Sequence, residues 1–255
     1  MDHAASVLDR VLAFGMLSAI AATVAVSIRG YLRQVHDLSD VRGSLVLGPG
    51  IRGWYYDKLL PFEELCVRFR IPAAALSYAQ LLGSGLVAAC FAGGWLLTAG
   101  WLLLFTGTLD IVDGRVARRL DGGSRRGAFL DSIIDRYADA LGYLGLAVYF
   151  RQSWILWVVL FAMMGGLIVS YVRARAEGLG ATCYVGLLQR PERYVILGFG
   201  TIFGTIVGHL TGPTRLGHPF PLVVATVAVL AVLINFTALQ RVVHVWRALG
   251  DHTDR

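Results

Sequence analysis

Residues 110–139 read DIVDGRVARRLDGGSRRGAFLDSIIDRYAD. They close one apolar run, at about 98–112, and open the next, at about 128–150. Asp110 and Asp113 stand three apart at the end of the first run, and Asp131 and Asp135 four apart at the start of the second. Spacings of three and four put each pair on one helix face. The connection is short, so the two helices are antiparallel neighbours. Four carboxylates therefore converge at one end of a helical bundle.

Composition says what surrounds that bundle. The chain has 255 residues, 56% hydrophobic and 16% charged, against about 25% charged in a soluble domain. Its mean hydropathy is +0.63. A disordered chain is excluded, because disorder needs low hydrophobicity and high charge. Apolar runs recur at about 8–29, 74–95, 98–112, 128–150, 153–171, 193–211 and 220–240, with no alternation of period two. Their lengths suit membrane helices. The short runs 98–112 and 153–171 are expected to extend into adjacent polar segments. The predicted fold is an all-α polytopic membrane bundle. Residues 1–45 are expected to hold the first transmembrane helix and a linker, and 46–255 the main domain.

Of the basic residues, Lys58 is the single lysine. If 30–73 is cytoplasmic, alternating spans put 113–127, 172–192 and the C-terminus on the same side. Only Arg10, Arg151 and Arg215 then fall opposite, which supports that orientation by the positive-inside rule. The segment 51–71, IRGWYYDKLLPFEELCVRFRI, mixes aromatic and aliphatic residues with charges. It reads as an amphipathic helix at the cytoplasmic interface, broken near Pro61. Cys66, Cys90 and Cys183 are scattered, which excludes a disulfide framework and a zinc site.

Carboxylates crowded at low dielectric repel one another and resist ionising. Divalent cations relieve both problems, and oxygen donors without Cys or His point to Mg²⁺ or Mn²⁺. Four carboxylates can hold two ions about 3.5–4 Å apart, the spacing of two-metal phosphoryl-transfer sites. Gly114, Gly122, Gly123 and Gly127 let a phosphate or base approach the backbone. Arg118, Arg119, Arg125 and Arg126 can neutralise phosphate oxygens. Together these suit a nucleotide diphosphate. The competing reading is an Asp-lined cation channel or transporter, which the arginines fit poorly because they repel cations.

The segment resembles the signature of the CDP-alcohol phosphotransferases, DxxDGxxAR, eight residues, then GxxxDxxxD. It is met here by Asp110, Asp113, Gly114, Ala117, Arg118, Gly127, Asp131 and Asp135. The resemblance covers about 50–245 and implies a six-helix core preceded by a juxtamembrane helix. It implies that Asp110, Asp113 and Asp131 ligate one metal ion and that Asp110, Asp131 and Asp135 hold or border a second. Asp135 would be the general base for the acceptor hydroxyl. Gly114, Ala117, Arg118 and Gly127 would bind the cytidine nucleotide, with Ser124 near the diphosphate. The implied reaction moves a phosphatidyl group from CDP-diacylglycerol to an alcohol and releases CMP.

Residues 170–193, SYVRARAEGLGATCYVGLLQRPER, resemble the stretch SYxxARAExxG…VGxxxRxER of the branch making phosphatidylinositol phosphate and archaetidylinositol phosphate. That resemblance assigns the acceptor's phosphate to Arg173, Arg190 and Arg193, with Arg175 beside them. Inositol 1-phosphate is the expected acceptor, then glycerol 3-phosphate, then free inositol, serine or choline. Arg173 replaces a lysine common in that branch. Pro72-Ala73-Ala74-Ala75-Leu76-Ser77 lacks the Asn of the family's PN-x-x-T strip. The expected partners are CDP-diacylglycerol, a polar alcohol and membrane lipid, with no nucleic acid, in a homodimer. The expected location is a bacterial or archaeal cytoplasmic membrane, with the site facing the cytoplasm.

Overall fold

The computed structural model describes residues 7, 9, 49–120, 124–211 and 220–250. The described residues are almost entirely helical. Seven helices run in order: α1 (Pro49–Arg68), α2 (Ala73–Ala92), α3 (Leu96–Leu120), α4 (Arg125–Tyr149), α5 (Ile155–Gly178), α6 (Arg190–Thr211) and α7 (Pro221–Gly250). The extra N-terminal span lies outside the described residues apart from Val7 and Asp9, and so do Gly122 and Gly123.

Local sequence sets the helix ends. Pro72 precedes α2 with extended backbone (φ −65°, ψ 139°), as its ring requires. Gly94 and Gly180 adopt positive φ, 80° and 77°, just beyond α2 and α5. In each place two backbone N–H groups fold back onto the last turn: Trp95 onto the Cys90 carbonyl at 2.8 Å, Ala181 onto Ala176 at 2.9 Å. These Schellman turns satisfy orphan carbonyls, and only glycine takes the left-handed position without strain. The tight turn at Gly94 makes α2 and α3 antiparallel.

In the bundle α2 packs on α3 and α4, α5 on α4 and α7, and α6 on α3 and α7. α2 and α4 approach so closely at Gly145 that a Cβ there would lie 2.5 Å from the Ala88 carbonyl oxygen. Small residues permit this approach, which is how membrane helices gain contact without a hydrophobic drive. The core runs through Val87, Phe91, Leu96, Leu146, Ile155, Val159, Val223, Leu230 and Ile234. Leu82, Trp157, Phe203, Leu210, Val232 and Trp246 point outward, each at least 60% exposed. A water-soluble monomer does not display so much apolar surface; here it faces lipid.

Five helices, α2, α3, α5, α6 and α7, are long and apolar enough to cross a membrane. α3 and α5 do extend past the short apolar runs, to Leu120 and Gly178. α4 falls outside that set because Arg125, Arg126, Asp131, Asp135, Arg136 and Asp139 crowd its first half. At the far end of α3 from the carboxylates, the buried Asp9 caps the helix. It accepts from Thr98 N–H at 2.8 Å, from the Thr98 hydroxyl at 2.7 Å and from Leu97 N–H at 3.2 Å. An acidic acceptor suits the positive end of the helix dipole.

The expected break at Pro61 does not occur: α1 is continuous with Pro61 inside it. Packing on both sides of the proline outweighs the lost hydrogen bond. Leu59, Glu63 and Cys66 form a buried stripe against α3, with Leu59 and Cys66 in a cluster with Val112 and Val116. Phe62, Leu65 and Phe69 are exposed on the other side, as a helix lying at an interface would present them. The Tyr55 hydroxyl meets Thr108 at 2.5 Å. Because Thr108 already donates to the Leu104 carbonyl, Tyr55 is the donor. Burial pushes its phenol above the ordinary value, so it stays protonated.

Glu63 is 1% exposed and holds two arginines of α3, Arg115 at 2.5 Å and Arg119 at 2.7 Å. Arg115 also lies over the Tyr56 ring. Arg119 was expected to serve phosphate; it is committed to Glu63 instead. Thr108, Val112, Arg115, Val116 and Arg119 occupy one face of α3, and Asp110, Asp113, Gly114 and Ala117 the opposite face. The interfacial helix therefore grips α3 from behind. Glu63→Gln is expected to destabilise the protein by about 2–3 kcal/mol, below the maximum for a broken buried pair because Arg119 is 43% exposed. Thermal melting in detergent checks this; an unchanged melting temperature would show that the grip contributes nothing.

Candidate active site

The last three turns of α3 and the first three of α4 bring the motif carboxylates together. Asp110, Asp113 and Asp131 each offer an oxygen within 4.8 Å of the others. α2 supports this group from behind. The Ser77 hydroxyl donates to Asp113 Oδ2 at 2.7 Å, and the Gln80 amide to Asp110 Oδ1 at 3.2 Å. Neither residue was predicted. Ser77 sits beside the strip where the family's Asn is missing, and its polar character in an apolar run was the available signal.

The remaining oxygens test whether a cation fits. Asp113 is 1% exposed. Asp113 Oδ1 and Asp131 Oδ1 are buried and accept no hydrogen bond among the described residues. Two unpaired anionic oxygens buried within one carboxylate cluster are costly unless a positive ligand joins them. An all-carboxylate set is the donor chemistry of Mg²⁺ or Mn²⁺. The residues present fit a divalent cation.

Asp135 lies one turn further along α4, within electrostatic reach of Asp110 and Asp131. Its carboxylate is paired with Arg190, whose Nη1 also reaches Asp110 Oδ1 at 2.6 Å. Arg190 Nε bonds Asp139 Oδ1 at 2.9 Å, and Nη2 donates to the Asp135 carbonyl at 3.2 Å. Arg190, expected at the acceptor phosphate, is thus tied to three carboxylates. Asp139 was also missed, although it continues the four-residue spacing of Asp131 and Asp135.

The nucleotide-binding candidates lie at the charged end. Ser124 caps α4, its hydroxyl accepting from Gly127 N–H at 3.0 Å. A Cβ on Gly127 would press against that hydroxyl. Gly114 has open space apart from Arg118, whose Nη1 lies 3.6 Å from where its Cβ would be. Arg118, Arg125 and Arg126 are exposed. Gly114, Ala117 and Arg118 follow the metal-site residues on α3, and Ser124 and Gly127 face the same end of the bundle from α4.

The third group gathers along α5. Arg193, 4% exposed, lies over Gly166, where a Cβ would meet Nη1 at 2.6 Å. Arg241 of α7 donates to the Val169 carbonyl at 2.8 Å and to the Val185 carbonyl at 2.9 Å. Arg173 follows one turn later, paired with Glu177 at 2.9 Å and lying over Tyr184. Arg241 feels the charges of both Arg173 and Arg193. Gly166, Val169 and Arg173 share a helix face, so three guanidinium groups line up toward the charged end. Arg241 escaped prediction because a basic residue at the inner end of a span reads as ordinary positive-inside charge.

The loop leading to α6 is shaped from α7. Thr237 and Gln240 accept from the Leu188 and Leu187 N–H groups, both at 3.1 Å. Glu192 then reaches back as in half of a capping box, accepting from Gln189 N–H at 2.7 Å. This fixes the start of α6 and the placement of Arg190 and Arg193.

Residues 70–250 match the family model described as CDP-alcohol phosphatidyltransferase. The chain is 37% identical over 187 residues to the archaetidylinositol phosphate synthase of Methanothermobacter thermautotrophicus, covering 73% of this chain and 89% of that one. It is 33% identical over 197 residues to the phosphatidylinositol phosphate synthase of Cutibacterium acnes, covering 74% and 92%. Crystal structures of the Mycobacterium tuberculosis phosphatidylinositol phosphate synthase share the fold at 27% identity. The form with CDP-DAG bound gives a TM-score of 0.63, covering 73% of this chain and 92% of that one. The form with manganese and citrate gives 0.62, covering 73% and 88%.

Proposed function

The chain belongs to the CDP-alcohol phosphatidyltransferase family, and we propose that it transfers a phosphatidyl group from CDP-diacylglycerol to inositol 1-phosphate at the cytoplasmic face of the membrane. It is an integral membrane enzyme of phospholipid synthesis. The observation that carries the acceptor assignment is the row of Arg193, Arg241 and Arg173 along α5, beside the carboxylates. One arginine would serve a bare alcohol poorly and a phosphate adequately; three aligned guanidinium groups suit a phosphorylated one. The relatives named above are synthases of archaetidylinositol phosphate and of phosphatidylinositol phosphate.

Asp110, Asp113 and Asp131, with Asp135 bordering a second position, would hold Mg²⁺ or Mn²⁺, two ions by the family resemblance, whose charge neutralises the diphosphate. The chain's own residues supply the rest. Gly114, Ala117, Arg118 and Gly127 hold the cytidine nucleotide, and Ser124 fixes the turn between them. Arg193, Arg241 and Arg173 hold the acceptor phosphate away from the carboxylates and leave its hydroxyl facing Asp135. Asp135 accepts the hydroxyl proton while the oxygen bonds to the phosphorus nearer the lipid. The bond from that phosphorus to the CMP oxygen breaks, and CMP leaves with the electron pair. Arg190 holds Asp110 and Asp135 in register. The segment 1–45, expected as an extra N-terminal helix and linker, is assigned no part in this machinery, and a homodimer is the assembly that the family resemblance supports.

An acceptor panel tests the assignment: inositol 1-phosphate should give the highest kcat/KM, ahead of glycerol 3-phosphate, free inositol and serine. Higher kcat/KM with another acceptor would overturn the choice of inositol 1-phosphate. Arg193→Gln removes a charged partner worth about 1.5–3 kcal/mol. The acceptor KM should therefore rise on the order of 10- to 100-fold, with the KM for CDP-diacylglycerol unchanged. Equal shifts in both constants would deny Arg193 an acceptor role.

A further inference from the structure

We propose that Asp139 is a positioning residue that fixes the acceptor-binding arginine Arg193 relative to the catalytic carboxylates; this rests on the acceptor reading above. Asp139 lies one turn beyond Asp135 on the same face of α4, outside the group of Asp110, Asp113 and Asp131 that can share a cation. Its side chain is 9% exposed and both oxygens are engaged. Oδ1 takes Arg190 Nε at 2.9 Å and Oδ2 takes Arg193 Nη1 at 3.2 Å. Tyr194 and Tyr143 enclose it. A carboxylate committed on both oxygens to two guanidinium groups is not a metal ligand.

The two arginines depend on it unequally. Arg190 keeps Asp110 and Asp135 if Asp139 is neutralised. Arg193 has Asp139 as its one carboxylate partner among the described residues, an ion pair at 3.2 Å, and neither its Nε–H nor its Nη1–H groups donate a hydrogen bond there. Gly166, lacking a side chain, leaves room for that same Nη1. Asp139 therefore orients a buried guanidinium whose Nε–H and Nη1–H groups keep hydrogen-bonding capacity for an anion. Because Arg190 survives the loss and Arg193 does not, neutralising Asp139 should act on acceptor binding and spare the cation site. The negative charge between the two arginines also discourages the acceptor phosphate from sliding toward Asp135, so the hydroxyl faces the base.

The test compares wild type with Asp139→Asn, Asp139→Glu, Arg193→Gln and the double variant Asp139→Asn/Arg193→Gln in the full-length protein. Binding of inorganic phosphate and of Mn²⁺ is measured alongside the KM values for inositol 1-phosphate and CDP-diacylglycerol. Asp139→Asn should weaken phosphate binding and raise the acceptor KM at least tenfold, with Mn²⁺ affinity and the CDP-diacylglycerol KM within twofold. Asp139→Glu should restore part of the loss. The double variant should be no worse than Arg193→Gln alone, since a residue acting through Arg193 has nothing left to position. It also keeps the proposal testable if Asp139→Asn misfolds, because it removes the stranded guanidinium. Additive losses, an unchanged acceptor KM in Asp139→Asn, or equal loss of Mn²⁺ and acceptor binding would overturn the proposal. Wild type that binds phosphate and Mn²⁺ but releases no CMP with any acceptor would instead overturn the functional reading, while the phosphate-binding arm still reports on Asp139.

Discussion

Asp135→Asn is expected to release CMP about 10³- to 10⁴-fold more slowly than wild type, while the protein stays folded and still binds Mn²⁺. Asparagine keeps the shape of the side chain and removes its capacity to accept the acceptor's proton. Asp110, Asp113 and Asp131 remain, and these three are the residues whose oxygens converge. Arg190 also retains Asp110 and Asp139, so its position should persist. The loss should therefore fall on kcat, with the KM for CDP-diacylglycerol little changed. Turnover within tenfold of wild type would remove Asp135 from the base role. Loss of all Mn²⁺ binding would make it primarily a ligand.

Asp113→Asn should fail in a different way. Its buried Oδ1 and the Asp131 Oδ1 lack hydrogen-bond partners among the described residues, and Ser77 already occupies Asp113 Oδ2. Replacing the carboxylate removes one negative charge from the oxygen set that a divalent cation needs. Turnover should fall on the order of 10³-fold, together with Mn²⁺ affinity, and excess Mn²⁺ should recover part of it. Electron paramagnetic resonance titration of Mn²⁺ separates the two variants: Asp113→Asn loses binding and Asp135→Asn keeps it. Full activity in Asp113→Asn, or activity of the wild type in the presence of a strong chelator, would contradict the metal reading.

The motif carboxylates were readable because charge is rare in this chain. An aspartate at the edge of an apolar run is conspicuous, and spacings of three and four translate directly into a shared helix face. The helical bundle followed from run lengths alone. What stayed hidden was partnership between distant segments. Glu63 looked like one charge among several in an interfacial helix, yet it is buried against Arg115 and Arg119 and withdraws Arg119 from the phosphate-binding arginines. Pro61 predicted a break that packing of Leu59 and Cys66 overrides. Arg190 was recognised as a basic residue near the mouth, but its ties to Asp110, Asp135 and Asp139 depend on how α6 meets α3 and α4. Asp139 lies one turn past the last motif position and Arg241 reads as ordinary flanking charge, and their roles come from tertiary contacts that span 51 to 72 residues of sequence.

The central claim is that the cluster on α3 and α4 and the arginine row on α5 serve one transfer between them. Purified protein given CDP-diacylglycerol, Mn²⁺ and inositol 1-phosphate, with the products read by mass spectrometry, tests it most directly. The account predicts CMP and, in equal amount, a lipid carrying the inositol phosphate. Folded, Mn²⁺-binding protein that yields neither product with inositol 1-phosphate or any other phosphorylated polyol would contradict it.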